Sequence, residues 1–407
     1  MAINITPLLD ALQAKLASAD SDTALTDINA LNYLSTYASN TNNVIRYPTI
    51  SFLNIEGTGD SADSYTGDFG YDISNNNYYF RAGFQWNELT LNDSAAINQT
   101  PNVGSVQAVQ ISGGTTPTTA ATDIQTFPFA ADGTSAVTVG NLNNARYYHF
   151  GATDGNIGQT AGGIITGTTS DDVESFPFSN PTTSTTLSNL GQTRQRGTSN
   201  HSVGDAKGYA SGGSSLPGTT FTDEIRKYDI VTSGTVSGTS VGNLSVERTG
   251  GMQGYQSTSD AYQHGGYQNP PFGLHVTIDK FPFANETVST LPASANLSPN
   301  TQGADTCAIY NEEKGIVGAD IGTFMDVIPF ASEVRTSAPS PTGIAADGLR
   351  FSGFSSTNGN GYFQFAQQGP GPANGTRVNV PYQNITPIAV PGGGTSVSVF
   401  RGTGVQQ

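Results

Sequence analysis

Apolar residues recur at two different periods along this chain, and the change of period divides it. Thr6 and Pro7 pair an N-cap with a proline at a first helical position, where the missing N–H costs nothing. Leu8, Leu9, Leu12 and Leu16 then fall at helical spacing. After an interruption at residues 18–23 a second stripe follows at Leu25, Ile28, Leu31 and Leu34. The spacing predicts short amphipathic helices within residues 6–38. Helices of this length are marginal alone and need a surface to bury their stripes against. That surface is either the body of the chain or a partner.

Beyond residue 45 the pattern changes to short alternating runs. Gly67-Asp68-Phe69-Gly70-Tyr71-Asp72 precedes the polar turn Asn75-Asn76-Asn77, and Tyr78-Tyr79-Phe80-Arg81, Gly83 and Trp86 follow. Aromatics alternating around an Asn-rich turn predict a β-hairpin with a third strand after Gly83. Trp86, the only tryptophan, reads as the core of that small module.

The rest of the chain repeats itself. Phe127-Pro128-Phe129 returns as Phe176-Pro177-Phe178, Tyr228-Asp229-Ile230, Phe281-Pro282-Phe283, Ile328-Pro329-Phe330 and Val380-Pro381-Tyr382, at intervals of 49, 52, 53, 47 and 52 residues. Each copy has an upstream small-residue element: Gly113-Gly114, Gly162-Gly163, Gly212-Gly213, Gly265-Gly266, then the degenerate Gly318-Ala319 and Ala366-Gln367. Downstream stand Leu142/Arg146, Leu190/Arg194 and Leu244/Arg248; later copies drift, with no Arg at this spacing after Leu297 and no Leu at this spacing before Arg350 and Arg401. The order is a strand ending in Gly-Gly, an aromatic strand, a short strand with Leu, then Arg leading an apolar strand. It describes a four-stranded unit that cannot bury both faces unless copies stack. Proline is tolerated in a sheet only at an edge or a strand end, which predicts a place for Phe-Pro-Phe toward the outside of each unit. Residues 105–407 hold six repeats of about 50. They open on a Gly-Gly strand at 106–112 with no Arg-led strand before it, and end on an alternating stretch at 395–401. Pairing those two ends would close six repeats into one ring. The organisation expected is a helical head (residues 1–44), a small β module (45–104) and the repeat region (105–407).

Composition narrows the class. Gly 49 and Pro 21 are high, and charged residues are only 12%, about half the usual share. Such a chain is no coiled coil, helical bundle or acidic tail. A net charge of −16 without a Lys/Arg cluster repels phosphate backbones and disfavours nucleic acid as a partner. Apolar runs fall far short of a membrane span, and the first residues lack the basic and apolar segments of a secretory signal. Cys307, the only cysteine, excludes internal disulfides and a cysteine-built zinc site.

Candidate chemistry is sparse. His149, His201, His264 and His275 sit in different repeats with no metal-ligand spacing. Asp132-Gly133, Asp154-Gly155 and Asp347-Gly348 read as turns. The acid pairs Asp171-Asp172 and Glu312-Glu313 read as solvated. No Gly-x-Ser-x-Gly elbow or P-loop occurs, and no repeated polar motif marks the ring's centre. The expectation is therefore that no residue is catalytic, cofactor-binding or metal-binding, that no cofactor is used, and that the chain is no enzyme. Tyr147, Tyr148, Tyr255, Tyr262, Tyr267 and Phe272, among Asn and Gln, could form a sugar-stacking rim, against which stands the plainer reading of inter-sheet core.

The repeat unit resembles the blade of a kelch-type β-propeller, with the usual blade tryptophan replaced by Phe-Pro-Phe. The expected fold is thus all-β: a six-bladed kelch-like propeller preceded by a short helical segment and a small β module. Phe-Pro-Phe-Ala blades on a low-charge Thr/Ser/Asn-rich surface resemble virion structural proteins of marine cyanobacterial phages, and the Trp86 module resembles one found in tail proteins of tailed phages. The resemblance implies a non-enzymatic tail- or fibre-associated protein, present in several copies. It would be made in the host cytoplasm, bound to other virion proteins through residues 1–100, and able to contact a host-surface glycan. The alternative is a carbohydrate-binding or carbohydrate-active propeller. Copper radical oxidases share the kelch-type propeller and use a cysteine–tyrosine crosslink, for which Cys307 and Tyr310 would be the pair. The sialidase-type box is lacking, since no tryptophan follows residue 86.

Overall fold

The computed structural model describes residues 69–72, 77–82 and 85–89 and most of 104–407, short segments of which (among them 269–272, 300–305, 340–349, 367–376 and 391–402) are not described. The expected helices at 6–38, and also Phe272 and the stretch at 395–401, lie outside the described residues. The chain divides into two compact units, Met1–Ser94 and Ala95–Gln407. In the first, Phe69–Asp72, Asn77–Ala82 and Gln85–Leu89 form an antiparallel three-stranded meander, the hairpin-plus-strand that the aromatic alternation around the Asn-rich turn predicts.

The second unit is a six-bladed β-propeller. Blade 2 is the plainest: Phe150–Thr153, Ile157–Ala161, Asp172–Pro177 and Thr185–Asn189 pair in that order, all antiparallel. Blade 3 repeats this with Thr198–Ser202, Lys207–Ser211, Glu224–Asp229 and Thr239–Asn243. Blade 4 has Tyr255–Gln256, Asp260–His264, Ile278–Pro282 and Ser289–Thr290. Blade 5 has Cys307–Tyr310, Lys314–Gly318, Phe324–Pro329 and Thr336–Pro339. Blade 6 has Arg350–Ser355, Asn360–Ala366, Arg377–Pro381 and Ile388–Val390.

Blade 1 is assembled from both ends of the unit. Gln107–Ile111, Thr119–Pro128 and Val137–Tyr147 supply three strands, and the C-terminal Thr403–Gln406 supplies the innermost one, with Val405 opposite Val109. Ring closure by the chain's end is what the complementary ends predict. The closing strand lies two residues beyond the expected 395–401. In blades 2–6 the first strand is innermost, and with Thr403–Gln406 of blade 1 these strands border one another around the axis.

Each blade carries the same row across its sheet. On the third strand stand Phe127, Phe176, Tyr228, Phe281, Ile328 and Val380. Opposite them on the second strand are only small residues: Ala108, Gly158, Gly208, Ala261, Gly315 and Gly361. The small residue makes room for the bulky one. A Cβ added to Gly158 would run into the Phe176 ring and lie 2.8 Å from that of Phe178. Phe127, Phe176, Tyr228 and Phe281 are buried, and edge-on ring pairs such as Phe176–Phe178 at 6.0 Å fill the space between sheets. The prolines close the third strand rather than lying at the blade's outside as expected. Pro177, Pro282, Pro329 and Pro381 are each the last residue of an interior strand, where the ladder needs no further N–H.

Candidate functional site

The site begins with the arginines that lead from one blade to the next. Arg146, Arg194 and Arg248 are buried, which is tolerable only if every guanidinium is answered by acceptors. Each reaches into the blade that follows. Arg146 donates to the carbonyls of Gly162 and Asp172, both at 3.0 Å, and pairs with Glu174. Arg194 donates to the carbonyls of Ala210 (3.1 Å) and Glu224 (3.0 Å) and pairs with the Glu224 carboxylate at 2.7 Å. Arg248 takes the Thr277 carbonyl at 3.1 Å and Asp279 at 2.8 Å. Burial lowers all three guanidiniums, Arg194 to about 10, against the raising effect of the paired carboxylates. Where Leu297 has no Arg after it, Asp326 instead accepts from the Ser298 N–H at 2.6 Å and pairs with Arg335 at 3.1 Å.

The glycine pairs belong to the same joint. Gly162, Gly163, Gly212 and Gly213 all have positive φ (62°, 95°, 64° and 101°). The second glycine of each pair donates its N–H to the carbonyl of the next blade's arginine: Gly163 to Arg194 at 2.9 Å, Gly213 to Arg248 at 2.8 Å. A Cβ on Gly162 would lie 2.6 Å from the Arg194 carbonyl oxygen, so glycine is required both for conformation and for close approach.

At the centre, the innermost strands place one polar residue per blade at the same level. Gln406, Thr153, His201, Gln256, Tyr310 and Ser355 each face the small residue of the row described above, and all six are buried. The Gln406 side-chain amide donates to the Tyr310 hydroxyl at 2.8 Å, and that hydroxyl lies 3.5 Å from His201 Nε2. Blades 1, 3 and 5 are not neighbours, so these contacts cross the axis. The His201 N–H donates to Gln256 Oε1 and the Tyr310 N–H to Ser355 Oγ, both at 2.9 Å. A second crossing joins blade 6 to the approach of blade 4, where the Gly353 N–H donates to Gln253 Oε1 at 3.0 Å. No common motif repeats at this level, in keeping with the lack of a repeated polar motif in the sequence. The position is polar in every blade, but as amides, hydroxyls and one imidazole rather than carboxylates.

Across the first three blade junctions runs a backbone collar. Two residues after each junction arginine stand Tyr148, Arg196 and Gly250, with φ of 59°, 58° and 99°. The Arg196 N–H donates to the Tyr148 carbonyl at 3.0 Å and the Gly250 N–H to the Arg196 carbonyl at 2.5 Å. Hairpins that follow the glycine pairs lie against this collar. Ile164 pairs with Tyr147, Ser214 with Gln195 and Tyr267 with Thr249.

The sequence-predicted residues scatter. Tyr255 and Tyr262 are core, stacked at 4.7 Å between blades, as the plainer reading held. Tyr147, Tyr148 and Tyr267 do gather at the collar, with Tyr147 and Tyr148 rings 5.4 Å apart and Tyr267 36% exposed. His149 bonds Thr160 at 2.6 Å and His264 the Gln253 carbonyl at 3.1 Å. Burial depresses His264 to about 3. Among the described residues no three His, Cys, Asp or Glu side chains converge as a metal set. Cys307 and Tyr310 are three apart on one strand and so face opposite sides of it. Cys307 packs with Ile309, Met325 and Phe363, and Tyr310 with Tyr255 and Ile328. Burial raises the Cys307 thiol well above its ordinary value. Asp154 caps a turn, accepting from the Asn156 and Ile157 N–H groups at 2.8 Å, and Glu312 and Glu313 are exposed. No family model and no curated protein matches the chain.

Proposed function

We propose that this chain is a non-enzymatic structural protein of a tailed-phage virion, tail- or fibre-associated, with its first hundred residues attached to other virion proteins and its propeller offered to the host surface. It is made in the host cytoplasm and carried on the particle in several copies. One observation carries the non-enzymatic part: the axis, where a propeller's strands converge, is crossed by the protein's own side chains through Tyr310. The carboxylates Glu174, Glu224 and Asp279 are likewise engaged in holding junction arginines. The polar chemistry near the centre therefore serves rigidity. The virion assignment draws on the Phe-Pro-Phe-Ala resemblance and on the leucine stripes at 8–16 and 25–34. A net charge of −16 supports a partner other than nucleic acid. No helix among the described residues is long and apolar enough to cross a membrane.

The alternative of a carbohydrate-binding module is compatible with the same chain and is favoured by the aromatic and cationic side chains at the collar. The test is particle composition. Purified phage particles should contain the full-length chain at fixed stoichiometry, and a chain beginning at Ala95 should fold yet be missing from them. Full-length chain absent from particles, or truncated chain incorporated at equal occupancy, would overturn the proposal.

A further inference from the structure

The collar demands a left-handed residue at each junction, and the third junction meets that demand with Gly250 at φ 99°. Tyr148 and Arg196 meet it with two of the bulkiest side chains, at φ 59° and 58°. A bulky residue in this region is a genuine outlier that the surroundings must hold in place. The fold itself has no need of these side chains there, since glycine serves the equivalent position and makes the same backbone hydrogen bond.

What the two strained residues bring is each other. The Arg196 guanidinium carbon lies 4.1 Å from the Tyr148 ring centroid, and Nη2 donates to the Tyr148 hydroxyl at 2.5 Å. Tyr148 is 3% exposed, wedged against Tyr147 and Ile164. It acts as a pedestal under the flat guanidinium of Arg196, a half-buried residue whose Nε is buried. Beside it, the Thr249 hydroxyl donates to the Arg196 carbonyl at 3.1 Å, and Thr249 in turn bridges to Tyr267. Tyr267 and its cross-strand partner Leu274 are 36% and 39% exposed, among the few large apolar side chains so exposed in the described residues.

We infer that this patch binds a carboxylated saccharide, with the carboxylate on Arg196 and sugar faces against Tyr147 and Tyr267. The inference rests on the glycan-contact part of the proposed function. A planar, pre-oriented guanidinium matches a carboxylate through paired N–H donors, and aromatic rings offer the apolar face a pyranose needs. A protein of net charge −16 has no general attraction for anions. Affinity for an acidic sugar must therefore come from this local contact, because charges farther than about 8 Å are largely screened at physiological salt.

The test uses the full chain, calorimetric titration, and two probes: a hexamer of uronic acids from alginate and the neutral maltohexaose. Wild type should bind the uronate hexamer and not maltohexaose. Arg196→Gly should weaken uronate binding at least tenfold while melting no lower than wild type, since glycine suits the left-handed position. Tyr267→Ser, which alters an exposed side chain, should weaken binding by a smaller factor. Unchanged uronate affinity in Arg196→Gly would overturn the inference. So would a large fall in its melting temperature, which would make Arg196 structural. Equal binding of both probes, insensitive to Arg196, leaves a saccharide receptor standing and removes the carboxylate. No binding of the uronate hexamer, by a chain that is present in particles, removes this inference and leaves the virion role.

Discussion

Glu174→Ala tests whether the junction arginines hold the blades. The side chains of Glu174 and Arg146 are both fully buried. Besides the guanidinium, the Glu174 carboxylate accepts from the Asn143 N–H at 2.7 Å, the Asn144 N–H at 3.1 Å and the Ser184 hydroxyl at 2.5 Å. Truncation would strand a buried cation, the Asn144 N–H and the Ser184 hydroxyl, while the Asn143 N–H keeps Ser184 Oγ at 2.8 Å. Breaking a buried pair on one side costs about 3–5 kcal/mol. For a ring unit of roughly 300 residues, an unfolding entropy of about 2.1 cal/mol/K per residue converts this to a fall of about 5–8 °C. Scanning calorimetry reads it directly. Asp229→Ala is the control: it removes the Lys207 partner at a carboxylate that is 59% exposed, and it should move the midpoint by less than about 1 °C. The double variant Arg146→Met/Glu174→Leu should recover only the part due to the stranded cation, because leucine offers no acceptor to the Asn144 N–H or the Ser184 hydroxyl. A fall below about 1 °C in Glu174→Ala would refute the reasoning.

Two further outcomes follow from burial. His264 is depressed to about 3 in the folded protein against 6.5 unfolded, so the unfolded chain binds the extra proton between those values. Stability should then fall as pH drops from 6.5 toward 3, by up to about 1.4 kcal/mol per pH unit from this group, and His264→Gln should flatten that slope in denaturant titrations. Gly158→Ala should cost about 1–3 kcal/mol by overpacking against Phe176 and Phe178, while Ala108→Gly, at the equivalent position of blade 1, should cause no clash; equal effects in urea melts would contradict the row described here.

The blade order, the number of blades and the closure of the ring were legible because Phe-Pro-Phe and Gly-Gly recur at nearly constant spacing and each has a steric reason to recur. The polar level at the axis was not. Gln406, Thr153, His201, Gln256, Tyr310 and Ser355 share no common motif, only a place opposite the second strand's small residue, which the last five precede by five to seven residues and which Gln406 reaches from the far end of the chain. The signal that could have found it was that small residue, four before the glycine pair at Gly158, Gly208 and Ala261. Junction acids escaped for a similar reason. Arg146 and Arg248 find theirs two residues before the third-strand aromatic, at Glu174 and Asp279, whereas Arg194 finds Glu224 four before, because Arg226 holds the usual place and itself pairs with Glu224 at 3.1 Å. The closing strand was placed early because alternation continues through 395–401, and only pairing with Gln107–Ile111 distinguishes Thr403–Gln406. At the collar, Tyr148 reads from sequence as a rim or inter-sheet aromatic and Arg196 carries no signal; only their backbone conformation and mutual contact bring the two together.

The central claim is a ring closed by its own last strand and braced across its axis. Removing residues 403–407 takes away the innermost strand of blade 1, the buried Val405, the Gln406 contact to Tyr310, and the Gln407 carbonyl that accepts from the Val106 N–H at 2.8 Å. Calorimetry of the full and shortened chains compares them directly. The account predicts that the ring's single cooperative transition is lost or moves down by more than about 10 °C, in the way a structure held by one shared closure must. An unchanged midpoint and unchanged cooperativity in the shortened chain would contradict it.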